Sequence, residues 1–225
     1  MLSPTTTAQE AQTPSLRCEE GGAAVAAVVF DVGGVLIEWN PRHLYRKLFG
    51  GDDAAMEHFL TEVCSPAWNL RQDAGRSWAD AIAEGAGRWP EHAALIRAFD
   101  ERWEEMVPGP LDATIALVEA LKRRGVALYC LTNFSSSKFE LTRRRFDVFG
   151  LFDGIVVSGE IGLVKPDPAI FRHLLQRFRL SAGRCLFVDD VPANVVAAQA
   201  VGMRAHLFRS APALAQDLRH YRLLP

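Results

Sequence analysis

The stretch that decides the fold is Ala24–Pro41, AVAAVVFDVGGVLIEWNP. It opens on a Val-rich run, Ala24 to Phe30, that does not alternate with polar residues. A short unbroken apolar run rich in β-branched residues is the pattern of a strand buried on both faces of a parallel sheet. Asp31 stops the run, and Gly33 and Gly34 follow at once. Glycines allow unusual backbone angles and close approach of a ligand to the chain. Their successive amides can form a nest for an anion. Alone, Asp-x-Gly-Gly is an ordinary turn after a strand; the rest of the chain decides whether it is more.

Moving outward, the same kind of run recurs four times. Val126–Leu131 (VALYCL) follows the helical pattern LDATIALVEALKRRG, with Gly125 as its stop. Ile155–Ser158 (IVVS) follows the helix-like SSSKFELTRRRFDVF. Cys185–Val188 (CLFV) follows PAIFRHLLQRF, where Pro168 suits a first helical turn. Ala205–Phe208 (AHLF) follows ANVVAAQAVG. Strand and helix in alternation imply right-handed βαβ units, and so an α/β fold with a Rossmann-like parallel sheet. Residues 41–108 break the rhythm. They carry helical patterns (RHLYRKLF, DAAMEHFLTEV, SWADAIAEGAGRW, HAALIRAFDERWEEM) and four of the five tryptophans. This predicts an α-helical cap domain with its own small core, inserted into an α/β core domain of residues 23–40 and 109–225. Such an insert can cover the carboxyl ends of the strands, where ligands bind in open α/β sheets.

Composition narrows the class. Hydrophobic residues are 49% of the 225 and charged residues 23%, an ordinary globular balance. A chain of this size buries roughly 70% of its unfolded surface and needs no disulfide staples. A formal net charge of −2 gives no basic excess for phosphate backbones, so no nucleic-acid partner is expected. Cys18, Cys64, Cys130 and Cys185 form no CxxC pair, which excludes a zinc knuckle and fits a reducing cytoplasm. Residues 1–22 have neither a basic start nor an apolar core for a secretory signal, and their Ser, Thr, Pro, Gln and Glu content predicts a disordered tail. The apolar stretch from Ala23 stops at Asp31, well short of the ~20 residues that cross a bilayer, so no membrane partner is expected.

Polar residues cluster where strands end. Asp31 follows the first run, Thr132 and Asn133 the second, Lys165 the third, and Asp189 and Asp190 the fourth. In a parallel sheet these ends share one edge. A lone Asp at a strand end is an ordinary helix cap, but three converging carboxylates repel and raise one another's pKa. A lysine and a divalent cation relieve that strain, and an all-oxygen donor set favours Mg²⁺. Asn194 begins the helix after the acid pair, placed either to tie that loop to the site or to cap the helix.

Four motifs taken in order resemble the haloacid dehalogenase-like hydrolase superfamily: Asp31 in FDVGGVL, Thr132 in LTN, Lys165 in KPDP, and Asp189–Asp190 in FVDD. The spacing agrees, because the 101 residues from Asp31 to Thr132 leave space for a cap. The resemblance implies a phosphatase-like enzyme in which Asp31 is the nucleophile and forms an aspartyl-phosphate. It makes Thr132 a hydrogen-bond donor to phosphoryl oxygen and Lys165 the neutralising cation. Asp190 and the Gly33 carbonyl would bind Mg²⁺ together with Asp31, and Asp189 would bind it or orient its waters. Asn133, Gly33 and Gly34 would contact substrate. In the cap, WNLRQDAGRSW suggests a recognition turn with Arg71 or Arg76 holding the substrate.

One position departs from the family. Its phosphatases usually carry a second Asp two residues after the nucleophile, as general acid and base; here that residue is Gly33. Glu38 and Asp73 are the candidates to replace it. The alternatives are a metal-independent 2-haloacid dehalogenase with Asp31 as nucleophile, and a binding module without catalysis. The acid pair Asp189–Asp190 favours the phosphatase. The expected partner is a small phosphorylated metabolite, sugar phosphates included, and the expected assembly is a monomer or homodimer.

Overall fold

Five strands form where the apolar runs predict them. The computed structural model describes residues 24–225. The tail expected over 1–22 lies outside the described residues. The strands are β1 (Ala27–Phe30), β2 (Ala127–Thr132), β3 (Gly154–Val157), β4 (Cys185–Asp189) and β5 (Arg204–Leu207). They make one parallel sheet in the order β3-β2-β1-β4-β5. β1 is central: Phe30 stands opposite Cys130 on one side and Val188 on the other. All four of its residues are buried, which is why its sequence is apolar without alternation.

Helices cover both faces. α6 (Asp112–Arg123) leads into β2 and α7 (Ser136–Arg145) leaves it. The short α8 (Ser158–Ile161) and α9 (Pro168–Arg177) follow β3, α10 (Pro192–Ala200) joins β4 to β5, and α11 (Ala211–His220) ends the chain. The chain builds outward from β1 to β2 and β3, then returns to lay β4 on the other side of β1. That reversal puts the topological switch point, the usual ligand crevice of such sheets, between the carboxyl ends of β1 and β4.

Between β1 and α6 lie five further helices: α1 (Arg42–Leu48), α2 (Asp53–His58), α3 (Pro66–Asp73), α4 (Trp78–Arg88) and α5 (Ala93–Glu101). α2 runs on into a π-helical turn, Phe59–Val63. The apolar interior of this insert is not separate, contrary to the small core of its own that its helical pattern suggests. Tyr45, Met56, Phe59 and Phe99 belong to one buried cluster with Phe30, Leu128 and Val188 of the sheet. Aromatic contacts carry it across: the Trp78 and Phe99 rings stack at 5.7 Å, and Trp103 meets Phe134 of the core edge-on at 5.7 Å. The reason is that three flanking residues, Val35, Leu36 and Ile37, are fully buried and fill the gap between the layers.

α3 corrects the sequence reading, which treats Trp68–Trp78 as a turn. The helix begins at Pro66, with the Ser65 hydroxyl accepting the Trp68 N–H at 3.2 Å. Ser-Pro is a strong start signal, hydroxyl cap followed by Pro in the first turn, but α3 has a weak apolar stripe and so little periodicity to show. Polar bonds also tie the insert to the core. The Trp78 indole donates to the Ser135 hydroxyl at 3.0 Å, and Lys138 donates to the Asp100 carbonyl at 2.8 Å. Ser158 donates to the Asp73 carbonyl at 2.5 Å.

Candidate active site

The switch point gathers the strand-end residues. Asp31 follows β1 and is 8% exposed. Its Oδ1 accepts the Val32 N–H at 2.7 Å and lies 2.8 Å from Lys165 Nζ. The same ammonium donates to Asp189 Oδ2 at 2.6 Å. Asp189 closes β4 and is fully buried. Its Oδ1 also accepts the Val191 N–H at 2.8 Å, and Asn194 reaches both of its oxygens at 3.0 and 3.1 Å. Two donors on each oxygen use up the capacity of this carboxylate. Asp189 therefore anchors Lys165 and the loop, leaving Asp31 and Asp190 as the acids available to a ligand. Of the two expectations for Asn194, it is the tie to the site that the hydrogen bonds favour.

The electrostatics follow from burial. Desolvation pushes the Asp31 carboxyl up to about 7 against the pull of Lys165. Desolvation, and then the neighbouring Asp189, raise Asp190 as well. Burial alone would drive Lys165 down, but Asp31 and Asp189 override it and hold the ammonium above its ordinary range. Oxygens of Asp31, Asp189 and Asp190 lie within 4.8 Å of one another. The three carboxyls outnumber the Lys165 ammonium among them, with Arg209 acting on Asp190 from outside the cluster. Gly34 explains the second glycine: its φ is +73°, and a Cβ there would stand 2.4 Å from Asp190 Oδ2. At Gly33 a Cβ would meet only Trp39, at 3.8 Å.

A cavity of about 210 Å³ opens over these groups. Asp31, Gly33, Gly34, Thr132, Asn133 and Asp190 line it. Asn133 lines it, but its amide is engaged: Nδ2 donates to the Lys165 carbonyl at 2.9 Å and Oδ1 accepts the Lys165 N–H at 2.8 Å. These two bonds hold the Lys165 main chain in place. Trp39, Trp103, Phe134 and Val191 line it as well, together with Asn69 and Asp73 of α3. The structure does not bring Arg71 and Arg76 to this cavity. Both pair with Glu84 of α4, at 2.7 and 2.5 Å, Arg71 from α3 and Arg76 from the loop that follows it. Of the two candidate replacement acids, Glu38 is exposed and paired with His43 at 2.6 Å, whereas Asp73 lines the cavity. The cavity's aromatic rings and Asn69 were not singled out by sequence. The available signal was Asn69 one helical turn before Asp73, a spacing that lets the two side chains meet.

A family model described as a haloacid dehalogenase-like hydrolase matches residues 25–202, a span that contains every strand-end group described above. The chain belongs to the haloacid dehalogenase-like hydrolases. It is 32% identical over 177 residues to the sesquiterpene phosphatase astK of Aspergillus oryzae, covering 79% of this chain and 86% of that protein. Three further curated relatives are longer proteins, of which the match spans 15%, 38% and 18%. Among solved structures, a HAD-like hydrolase of Porphyromonas gingivalis superposes with a TM-score of 0.67 at 22% identity, over 88% of this chain and 99% of that one. A HAD family enzyme of Bacteroides thetaiotaomicron, in complex with magnesium and inorganic phosphate, gives 0.63 at 22%, over 82% and 94%. These two establish likeness of fold.

The donor set of this haloacid dehalogenase-like hydrolase fits a hard divalent cation. It offers carboxylate oxygens and main-chain carbonyls, no sulfur or imidazole, and a surplus of negative charge. Asp31, Asp190 and the Gly33 carbonyl are the groups that would hold it, with Asp189 behind them. Among the described residues no helix is long and apolar enough to cross a membrane.

Proposed function

We propose that this hydrolase is a Mg²⁺-dependent phosphomonoesterase working through an aspartyl-phosphate on Asp31, on monoesters whose organic group is apolar. The observation that carries it is the convergence of Asp31, Lys165 and the acid pair Asp189–Asp190 at the switch point, with Asp31 and Asp190 opening onto the cavity. A carboxylate oxygen of Asp31 attacks phosphorus and the ester P–O bond breaks, leaving the phosphoryl group on Asp31. Water then attacks that phosphorus, the acyl-phosphate bond breaks, and inorganic phosphate and free Asp31 result. Lys165 and the hydroxyl of Thr132 balance charge and orient the phosphoryl oxygens. Bound Mg²⁺ would supply charge stabilisation for the transferring group.

The rings in the lining support an apolar leaving group. Trp39, Trp103 and Phe134 present aromatic surface to the cavity, and the polar atoms beside them are the indole N–H groups and Asn69 rather than a set of hydroxyl partners. This narrows the sugar phosphates expected from sequence. The name of the astK relative points the same way. Burying each extra methylene stabilises binding by about 0.8 kcal/mol, so a chain of a few carbons outweighs a sugar here.

The test is hydrolysis of an aryl phosphate with Mg²⁺ and with excess chelator. Turnover abolished by chelator is expected. A long-chain isoprenyl phosphate should then surpass glucose 6-phosphate in kcat/KM by about tenfold or more. No aryl phosphate turnover, with chelator-insensitive halide release from a 2-haloacid, would replace the proposal with the dehalogenase.

A further inference from the structure

The missing second Asp of the first motif leaves the leaving oxygen without a proton donor at the usual place. Space for one remains: a Cβ at Gly33 is free of clashes. The acid that does face the cavity comes from elsewhere in the chain. Asp73 is the last residue of α3 and is 8% exposed. Its carboxylate is held from two sides. Asn69 Nδ2 donates to Oδ2 at 3.0 Å, and the main-chain N–H of Ser135 approaches from the core. Its carbonyl is pinned to the end of β3 by Ser158. Gly75 then turns the chain away at φ +99°, where a Cβ would lie 3.2 Å from the Gly159 carbonyl. The side chain is thus fixed against the core, across one cavity from Asp31.

We infer that Asp73 is the general acid of this enzyme: it protonates the leaving oxygen and, once ionised, takes a proton from the water that attacks phospho-Asp31. This rests on the phosphomonoesterase reading. The proton balance closes, since the proton given to the alcohol in the first step is recovered from water in the second. The two hydrogen bonds that Asp73 accepts, from Asn69 and Ser135, require an oxygen acceptor there but not an ionisable one. An anion at the C-terminal end of a helix opposes the helix dipole, and burial beside Asp31 adds to the cost. Such a placement marks a working group rather than a stabilising one. Charged groups facing it are Asp31 and Lys165, and burial holds its carboxyl up to about 7, where it keeps a proton near neutrality. Glu38, the other candidate, is turned to solvent with His43.

The test uses kcat/KM, which reports the step in which the leaving group departs. An alkyl phosphate needs its oxygen protonated; a nitrophenyl phosphate does not. In Asp73→Asn the alkyl-to-aryl ratio of kcat/KM should fall about 10²-fold or more. Adding Gly33→Asp to that variant should restore much of the ratio. A purely structural role would lower both substrates together, and an unchanged ratio overturns the inference. Should Asp73→Asn not fold, the wild type still decides. A shallow dependence of kcat/KM on leaving-group pKa is expected, and a steep one overturns the assignment. Failure of the wild type to turn over the aryl phosphate at all would instead overturn the phosphomonoesterase and the acid together.

Discussion

Asp73 and Asp31 are the same residue type in one cavity, yet they face different neighbours. Asp31 has an ammonium 2.8 Å away, while Asp73 has only amide donors. The consequence is measurable without any substrate. The Asp73 carboxyl is raised by burial to about 7 when folded. Unfolded, it has the ordinary value near 4. Below about pH 4 both states carry the proton and the group is neutral to stability. Between about 4 and 7 the unfolded chain loses its proton and the folded one does not, so folding is progressively disfavoured. Asp73→Asn removes that penalty. Its stability relative to the parent, measured by denaturant titration with chelator present, should therefore rise with pH across this window and level off above it. The slope should be at most about 1.4 kcal/mol per pH unit. At this scale the sequence is a good guide to strand-end residues, because a strand end fixes where a side chain must stand. It is a poor guide to Arg71, Arg76 and Asn133, whose partners depend on which way a helix face or a loop amide is turned.

At the scale of elements, the strands are legible within a few residues, since buried parallel strands need continuous apolar runs. α3 is not, although its Ser65–Pro66 start is plain in hindsight, because its polar sequence has no stripe to give it away. The missed helix is the one that carries Asn69 and Arg71, so the error in structure and the error in site assignment have one cause. The join between insert and core rests on few polar bonds. The Trp78 indole to Ser135 hydroxyl bond at 3.0 Å is buried and isolated enough to test. Trp78→Phe keeps the ring contacts but strands the Ser135 hydroxyl. A loss of about 1 kcal/mol, or ~2–4 °C in Tm, is expected by calorimetry.

For the whole molecule, the continuous apolar cluster predicts cooperative behaviour. Residues of the insert and both neighbours of β1 share one interior, so neither part can open without exposing the other. The placement of Trp68, Trp78, Trp89 and Trp103 makes fluorescence a probe of the insert, while far-UV circular dichroism reports all helices and strands. The two signals should trace one coincident denaturation curve. An earlier fluorescence transition would mean that the insert melts alone. Fold class and switch point follow from the alternation of runs. The merging of the two interiors does not, because it depends on Val35, Leu36 and Ile37 serving both layers.

The strand order also sets when the site can exist during synthesis. Asp31 and Asp189 are 158 residues apart in the chain yet share one lysine. β1, β2 and β3 can pair as soon as they leave the ribosome, but β4 is made later and is the strand that covers the second edge of β1. Until then a growing chain carries Asp31 beside a bare hydrophobic strand edge, open to pairing with other chains. The segment from Lys165 to β4 both completes the charge cluster around Asp31 and closes that edge. Nascent chains stalled before Cys185 should therefore be inert and sticky, and the hydrolase acquires activity and solubility in the same stroke.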